Sequence, residues 1–440
     1  MRYKKMTNPT DGINQTNKQL STVEDQLCCI NDNLITGVPI AAGPQLDSFG
    51  RLRVSEPFTL FDSSHRFDDN GLWATATATG GTAVFNSNQG LIDLSVTVSS
   101  GSSVIRETIK TFSYQPGKSL LVLNTFVMSS AKTGLTQRVG YYGDENGFYL
   151  EQEDSTVAFI KRSFITGSIV ETPVVQADWN GDRLDGSGAS GITLDLTKAQ
   201  ILWMDLEWLG VGSVRLGFVI NGQFIVCHTF HHANVIPSTY ITTASLPLRY
   251  EIENTADTSG ASTLKQICST VISEGGYELR GEQRSIGTPI LTPRTFAVAG
   301  TYYPIVGIKL KAARLDAIVI ITAISLLGTG NGKNYAWRLV NGGATITGGS
   351  WVDASPDSSV QYNLTGTSVA GGRILASGYI NSSNQASPAL NILKEALFSN
   401  QLERNGLTGV PYEFVLEVAV ASTSGGESVF ASIDWEEISR

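Results

Sequence analysis

The sequence predicts a mainly β protein: an N-terminal coiled-coil helix, an antiparallel β-sandwich of jelly-roll type, and a second C-terminal β body with one helix. Three observations predict it. A strict seven-residue apolar register runs through residues 13–34, and beyond Pro44 apolar residues alternate with polar ones in many short runs. Gly-, Asn- and Pro-containing turns separate those runs. The expected organisation is an attachment segment and helix at 1–44, a sandwich at 45–285 and the second β body at 286–440. At 440 residues the chain exceeds the size at which one core keeps growing, so two or three bodies of about 100 to 200 residues are expected.

The helix comes first. Ile13, Leu20, Leu27 and Leu34 fall at a positions, and Thr16, Val23 and Ile30 at d. The flanking e and g positions are polar, which leaves one narrow apolar seam for a partner helix. Leu at a with β-branched residues at d favours three- or four-stranded packing over two, so Ile13, Leu20, Val23, Leu27, Ile30 and Leu34 are the expected trimer contacts. The alternative is a single amphipathic helix lying on its own body. Gly37 and Pro39 end the helix.

Strands are expected at 92–98, 104–112, 119–128, 192–196, 201–209, 214–220, 223–230 and 248–253. Asn221-Gly222 between two of them takes the positive φ angles of a type I′ hairpin turn. Gly281, Gly287, Pro289 and Pro293 mark a boundary, after which strands are expected at 305–310, 317–327, 334–340, 372–380, 412–420 and 428–435. One helix interrupts this series, starting at Ser387-Pro388, carrying Leu390, Leu393, Leu397 and Leu402 on one face, and stopping at Asn405-Gly406.

Composition excludes several classes. Net charge is −9 and charged residues make up only 16% of the chain, which argues against binding nucleic acid through phosphates. The start of the chain lacks the apolar stretch of a signal peptide, and the run 317–327 falls short of the roughly 20 residues that span a bilayer. No membrane insertion is expected. Cys28, Cys29, Cys227 and Cys268 show no metal or redox spacing and read as free thiols.

Few constellations suggest chemistry. Cys227, His228, His231 and His232 hold three of the four histidines. A strand sends Cys227 and His228 to opposite faces, so one metal cannot readily take both; a histidine ring on a trimer axis is the remaining way to hold an ion. Polar histidines in a plain loop are the expectation. On the 201–209 strand, Leu202, Met204, Leu206 and Trp208 share the core face, and Trp203, Asp205 and Glu207 the other. Carboxylates two residues apart lie about 6.5 to 7 Å from one another, a glycosidase-like spacing, and an exposed Trp203 would stack a sugar. Trp203, Asp205 and Glu207 are therefore the candidate glycan contacts, while paired acids on a wet sheet face are the plainer reading of the last two. The glycine-rich run 328–334 departs from the phosphate-loop pattern, and no nucleophile elbow or paired-histidine zinc motif occurs. No cofactor and no catalytic residue are expected.

Several phrases resemble fibre-like or decoration proteins of the virions of tailed bacteriophages, as found in phages of marine and freshwater bacteria. They are Phe49-Gly50-Arg51-Leu52-Arg53-Val54-Ser55-Glu56-Pro57, the run from Asp205 to Gly212, the run from Leu246 to Ile252, and the run from Ser269 to Tyr277. The resemblance implies a non-enzymatic homo-oligomer assembled in the host cytoplasm and carried on the virion. Its N-terminal end would dock to capsid, neck or tail, and its β body would point outward. Host surface glycan is the further partner implied, which makes a carbohydrate-binding adhesin the second reading and a polysaccharide depolymerase the third.

Overall fold

A computed structural model describes residues 56–278, 280–383, 400–424 and 426–439. Residues 57–440 group into one compact unit. The expected coiled coil, with Ile13, Leu20, Val23, Leu27, Ile30 and Leu34, lies outside the described residues, as do Cys28 and Cys29 and the body of the expected C-terminal helix. Leu402 and Asn405, placed on that helix and at its stop by the sequence, are corrected. Gln401 forms a bridge with Ile320, and Arg404–Asn405 is a short strand. No α-helix occurs among the described residues.

The first fifteen strands build two facing sheets. They are β1 Phe58–Ser64, β2 Trp73–Ala78, β3 Thr82–Asn86, β4 Leu91–Val96, β5 Ser103–Thr108, β6 Leu120–Val127, β7 Leu135–Tyr142 and β8 Gly147–Glu153. Then come β9 Thr156–Ser163, β10 Val170–Val175, β11 Gln200–Leu206, β12 Val214–Ile220, β13 Gln223–Phe230, β14 Leu248–Asn254 and β15 Ser262–Ser273. One sheet runs β13-β12-β11-β6-β15-β4-β3 with β1 also on β15, and the other runs β10-β9-β8-β7-β14-β5-β2. Every pairing is antiparallel, and neighbours distant in sequence, such as β6 and β15, lie side by side. Alternation explains the core: Ile92, Leu94 and Val96 from β4 meet Leu202, Met204 and Leu206 from β11 and Phe148, Leu150 and Phe159 from the facing sheet. Asn221 (φ 53°) and Gly222 (φ 76°) form the expected hairpin turn.

The segment 192–196 departs from expectation. It is no strand but a loop pinned by a single bridge between Asp185 and Thr193 and by the Leu194 N–H donating to the Leu184 carbonyl at 2.8 Å. A five-residue alternating run is too short to discriminate between the two.

Residues beyond 281 supply a second pair of sheets around their own core. Glu282–Gly287, Ser428–Ser439, Arg294–Thr295 and Ile318–Gly328 form the four-stranded sheet. The seven-stranded one holds Val352–Asp353, Val360–Asn363, Tyr303–Leu310, Glu413–Val420, Asn334–Thr347, Ser368–Ala370 and Arg373–Asn381. Inside the turn-rich stretch read as a boundary, Glu282–Gly287 is thus itself a strand. The segment around Gln401 fastens the two bodies together. The Leu402 N–H donates to the Val319 carbonyl at 2.9 Å on one side, and the Arg404 N–H donates to the Ile109 carbonyl at 2.9 Å on the other. Gln401 Nε2 adds a bond to the Thr111 carbonyl at 3.0 Å. Side chains follow, with Arg404 Nη1 on Glu107 Oε1 at 2.6 Å, and Glu107 Oε2 taken by Arg249 at 2.5 Å.

A polar cavity at the end of the β11–β12 hairpin

Strand β11 places Leu202, Met204 and Leu206 in the core, so Trp203 and Asp205 face outward from the sheet. Outward does not mean exposed. Trp203 is only 3% exposed, covered by Phe224 with ring centroids 5.5 Å apart. Gly217, its cross-strand partner, makes room: a Cβ there would sit 3.0 Å from Trp203 Nε1 and 1.8 Å from the Ile225 carbonyl oxygen. The exposed sugar platform expected at Trp203 is therefore corrected, because Phe224 of β13, two strands away, folds over it.

Asp205 stands opposite Arg215 in the β11–β12 register and forms an ion pair with it. Asp205 is 6% exposed, and its Oδ1 has no hydrogen-bond partner. A buried acceptor left without a donor is costly.

Beyond Leu206 the chain leaves the strand in a tight turn. Glu207 N–H donates to the Ser213 carbonyl at 3.1 Å, and Gly212 N–H to the Trp208 carbonyl at 2.7 Å. Leu209 (φ 40°) and Gly210 (φ 82°) occupy the left-handed region, unusual for a leucine. This conformation presents Leu209 to solvent at 58% exposure. Gly212 admits no side chain, since a Cβ would lie 1.8 Å from the Glu207 carbonyl oxygen.

Together these elements line a solvent-open cavity of about 470 Å3 walled by Tyr114, Lys118, Asp205, Glu207, Arg215 and His231, with Leu209 and Ser213 of the turn beside them. Two acids and two bases balance within it. The structure thus joins Asp205 and Glu207 to His231, which the sequence had assigned to a separate constellation, and leaves Trp203 out. Tyr114, Lys118 and Arg215 were missed. Arg215 was in principle legible, because a hairpin closed over residues 207–213 pairs it with Asp205; Tyr114 and Lys118 enter from the β5–β6 connection, and nothing local marks them.

The histidines separate. His228 packs edge-on against Phe230 at 4.5 Å and its Nδ1 accepts from the Asn180 N–H at 3.3 Å. His231 pairs with the Ser213 hydroxyl at 3.2 Å. His232 stacks on Tyr240 with centroids 3.8 Å apart and planes at 13°. Cys227 is in the core, where burial pushes its thiol up to about 12. Among the described residues no group of three or more such side chains is arranged to hold a metal ion.

No family model matches the chain, and no curated protein matches it. Several solved structures are similar in part. A protein of unknown function from Shewanella oneidensis is 10% identical, with 62% of this chain and 97% of that one covered at a TM-score of 0.34. A Bacteroides ovatus mixed linkage glucan GH16 protein in complex with a product is 11% identical, covering 48% and 99% at a TM-score of 0.34. The carbohydrate recognition domain of Emp47p is 13% identical, covering 50% and 97% at a TM-score of 0.31.

Proposed function

We propose that the protein is a non-enzymatic glycan-binding protein whose ligand occupies the cavity at the end of the β11–β12 hairpin. One observation carries the reading: Asp205 and Glu207 share one cavity with Lys118 and Arg215. Asp205, Glu207, Arg215 and Lys118 offer the mixed donors and acceptors that a polyhydroxylated ring requires. Lys118 and Arg215 offset Asp205 and Glu207, which favours a neutral ligand over a strongly charged one. The test is a glycan array followed by calorimetry on the glycans retained. Asp205→Asn preserves volume and replaces an acceptor with a donor at one of the two positions, so we expect about tenfold weaker binding with melting unchanged to a few degrees. An array on which nothing is retained, or unaltered affinity in the variant, rejects the cavity as the site.

A second reading concerns where this body is carried. The resemblance of the 49–57, 205–212, 246–252 and 269–277 phrases to phage virion proteins favours a particle component, trimeric through the 13–34 register, with capsid, neck or tail as partner. The full-length protein is then expected at three times 47.1 kDa by light scattering. A monomer at micromolar concentration rejects the trimer.

A further inference from the structure

The turn that walls the cavity is held from behind by His232. Its Nδ1 lies 2.8 Å from the Gly212 carbonyl oxygen, so this nitrogen carries the hydrogen and donates it. The other nitrogen, Nε2, is buried with no partner. The ring is 2% exposed, flat against Tyr240, whose own N–H donates to the Gly210 carbonyl at 3.1 Å. His232 and Tyr240 thus grip Gly210 and Gly212, and between them they set the path of the chain that presents Leu209 and Ser213 to the cavity.

We propose that this grip is an acid-sensitive latch: protonation of His232 at Nε2 drives the ring off Tyr240 and frees the 207–213 turn, which takes away one wall of the cavity. The proposal rests on the cavity being the glycan site only for its consequence, ligand release; the latch itself stands on the apo geometry. A proton added at Nε2 finds no acceptor. The charged groups around the ring oppose it as well. Lys161, reaching across from β9, and His231, adjacent in the chain, both disfavour a second positive charge, and only the Gly212 carbonyl favours it. Tyr240 contributes its ring face, an attraction for a cation of about 1 kcal/mol, smaller than the penalty of burying an unpaired charge.

The sign follows from linkage. Burial, foremost, and Lys161 hold the His232 imidazole down to about 4, against 6.5 when freely solvated. A folded-state value below the open-state value means the closed turn is fully favoured above about pH 6.5 and loses that advantage as pH falls toward 4. His65, buried near Asp69 and Arg106, is likewise held to about 4 and titrates in the same window. A local readout is therefore needed.

Hydrogen–deuterium exchange on the ligand-free, full-length protein supplies it, followed by mass spectrometry at about pH 7.5 and about pH 4.5 with rates corrected for intrinsic chemistry. Peptides spanning 207–213 are expected to lose protection by about tenfold or more on acidification, while β14 peptides keep theirs. His232→Asn retains a donor near Gly212 without titrating and is expected to keep the turn protected at both values. A turn as protected at low pH as at high pH in the unaltered protein overturns the latch. So does equal acid loosening in His232→Asn. Neither result touches the glycan assignment, which stands or falls on Asp205.

Discussion

Glu107→Ala is expected to lower the unfolding free energy by about 3 to 5 kcal/mol, read from urea melts with little change in the denaturant slope. Glu107 is 1% exposed and is the shared anion of two buried guanidiniums. Arg249 reaches its Oε2 with Nε at 2.9 Å and Nη2 at 2.5 Å, and Arg404 reaches Oε1 at 2.6 Å. Deleting the carboxylate leaves two desolvated cations close together. Asp144 on Arg249 and Asp316 on Arg404 remain, but both are more than half exposed and screened by water, so they compensate only in part. Replacing all three members with apolar residues is expected to be far milder than removing one, because most of the loss is the uncompensated burial of the survivors. A loss below about 1 kcal/mol for Glu107→Ala would show that the triad contributes little.

Trp435→Ala is expected to cost about 3 to 5 kcal/mol. Trp435 is fully buried on Ser428–Ser439, the strand that the other three members of its sheet pair with. Its indole also donates to Glu437 Oε1 at 3.0 Å, two residues along and on the same face. Glu437 is 1% exposed and further satisfied by the Ser358 hydroxyl at 2.5 Å and the Ser359 N–H at 2.8 Å. Alanine therefore opens a large cavity and weakens a buried carboxylate's shell at once. Trp435→Phe separates the two effects: it keeps most of the volume, loses the N–H, and is expected to cost about 1 to 2 kcal/mol. Equal losses in the two variants would assign the effect to the hydrogen bond instead of packing.

Much of the fold was legible where one face of a strand is wet. β4 alternates because only one of its faces packs into the core, and the Asn221-Gly222 hairpin is set by local backbone preference. Legibility failed at β7 to β9. There Tyr142, Tyr149, Ala158 and Ile160 form a second cluster on the outer face, so both faces are buried and the period-two signal vanishes. Arg162 covers that face, its guanidinium 5.4 Å from the Tyr142 ring and 5.1 Å from the Tyr149 ring, which no local pattern announces. For the candidate site, strand parity identified Asp205 correctly as an outward residue. It misjudged Trp203, because facing away from the core says nothing about what another strand of the sheet lays on top, here Phe224 of β13. Tyr114 and Lys118 reach the cavity across some ninety positions of chain, through β6 lying beside β11. Pairing at that separation is a product of the whole topology.

The stretch from Gln401 to Arg404 ties its peptide groups to Val319 on one side and to Ile109 on the other, and the Gln401 side chain to Thr111. Neither hydrophobic interior can melt without tearing main-chain bonds that belong equally to its neighbour. A lesion deep in either is therefore expected to lower the melting temperature of both. The two interiors of residues 57–440 are thereby coupled.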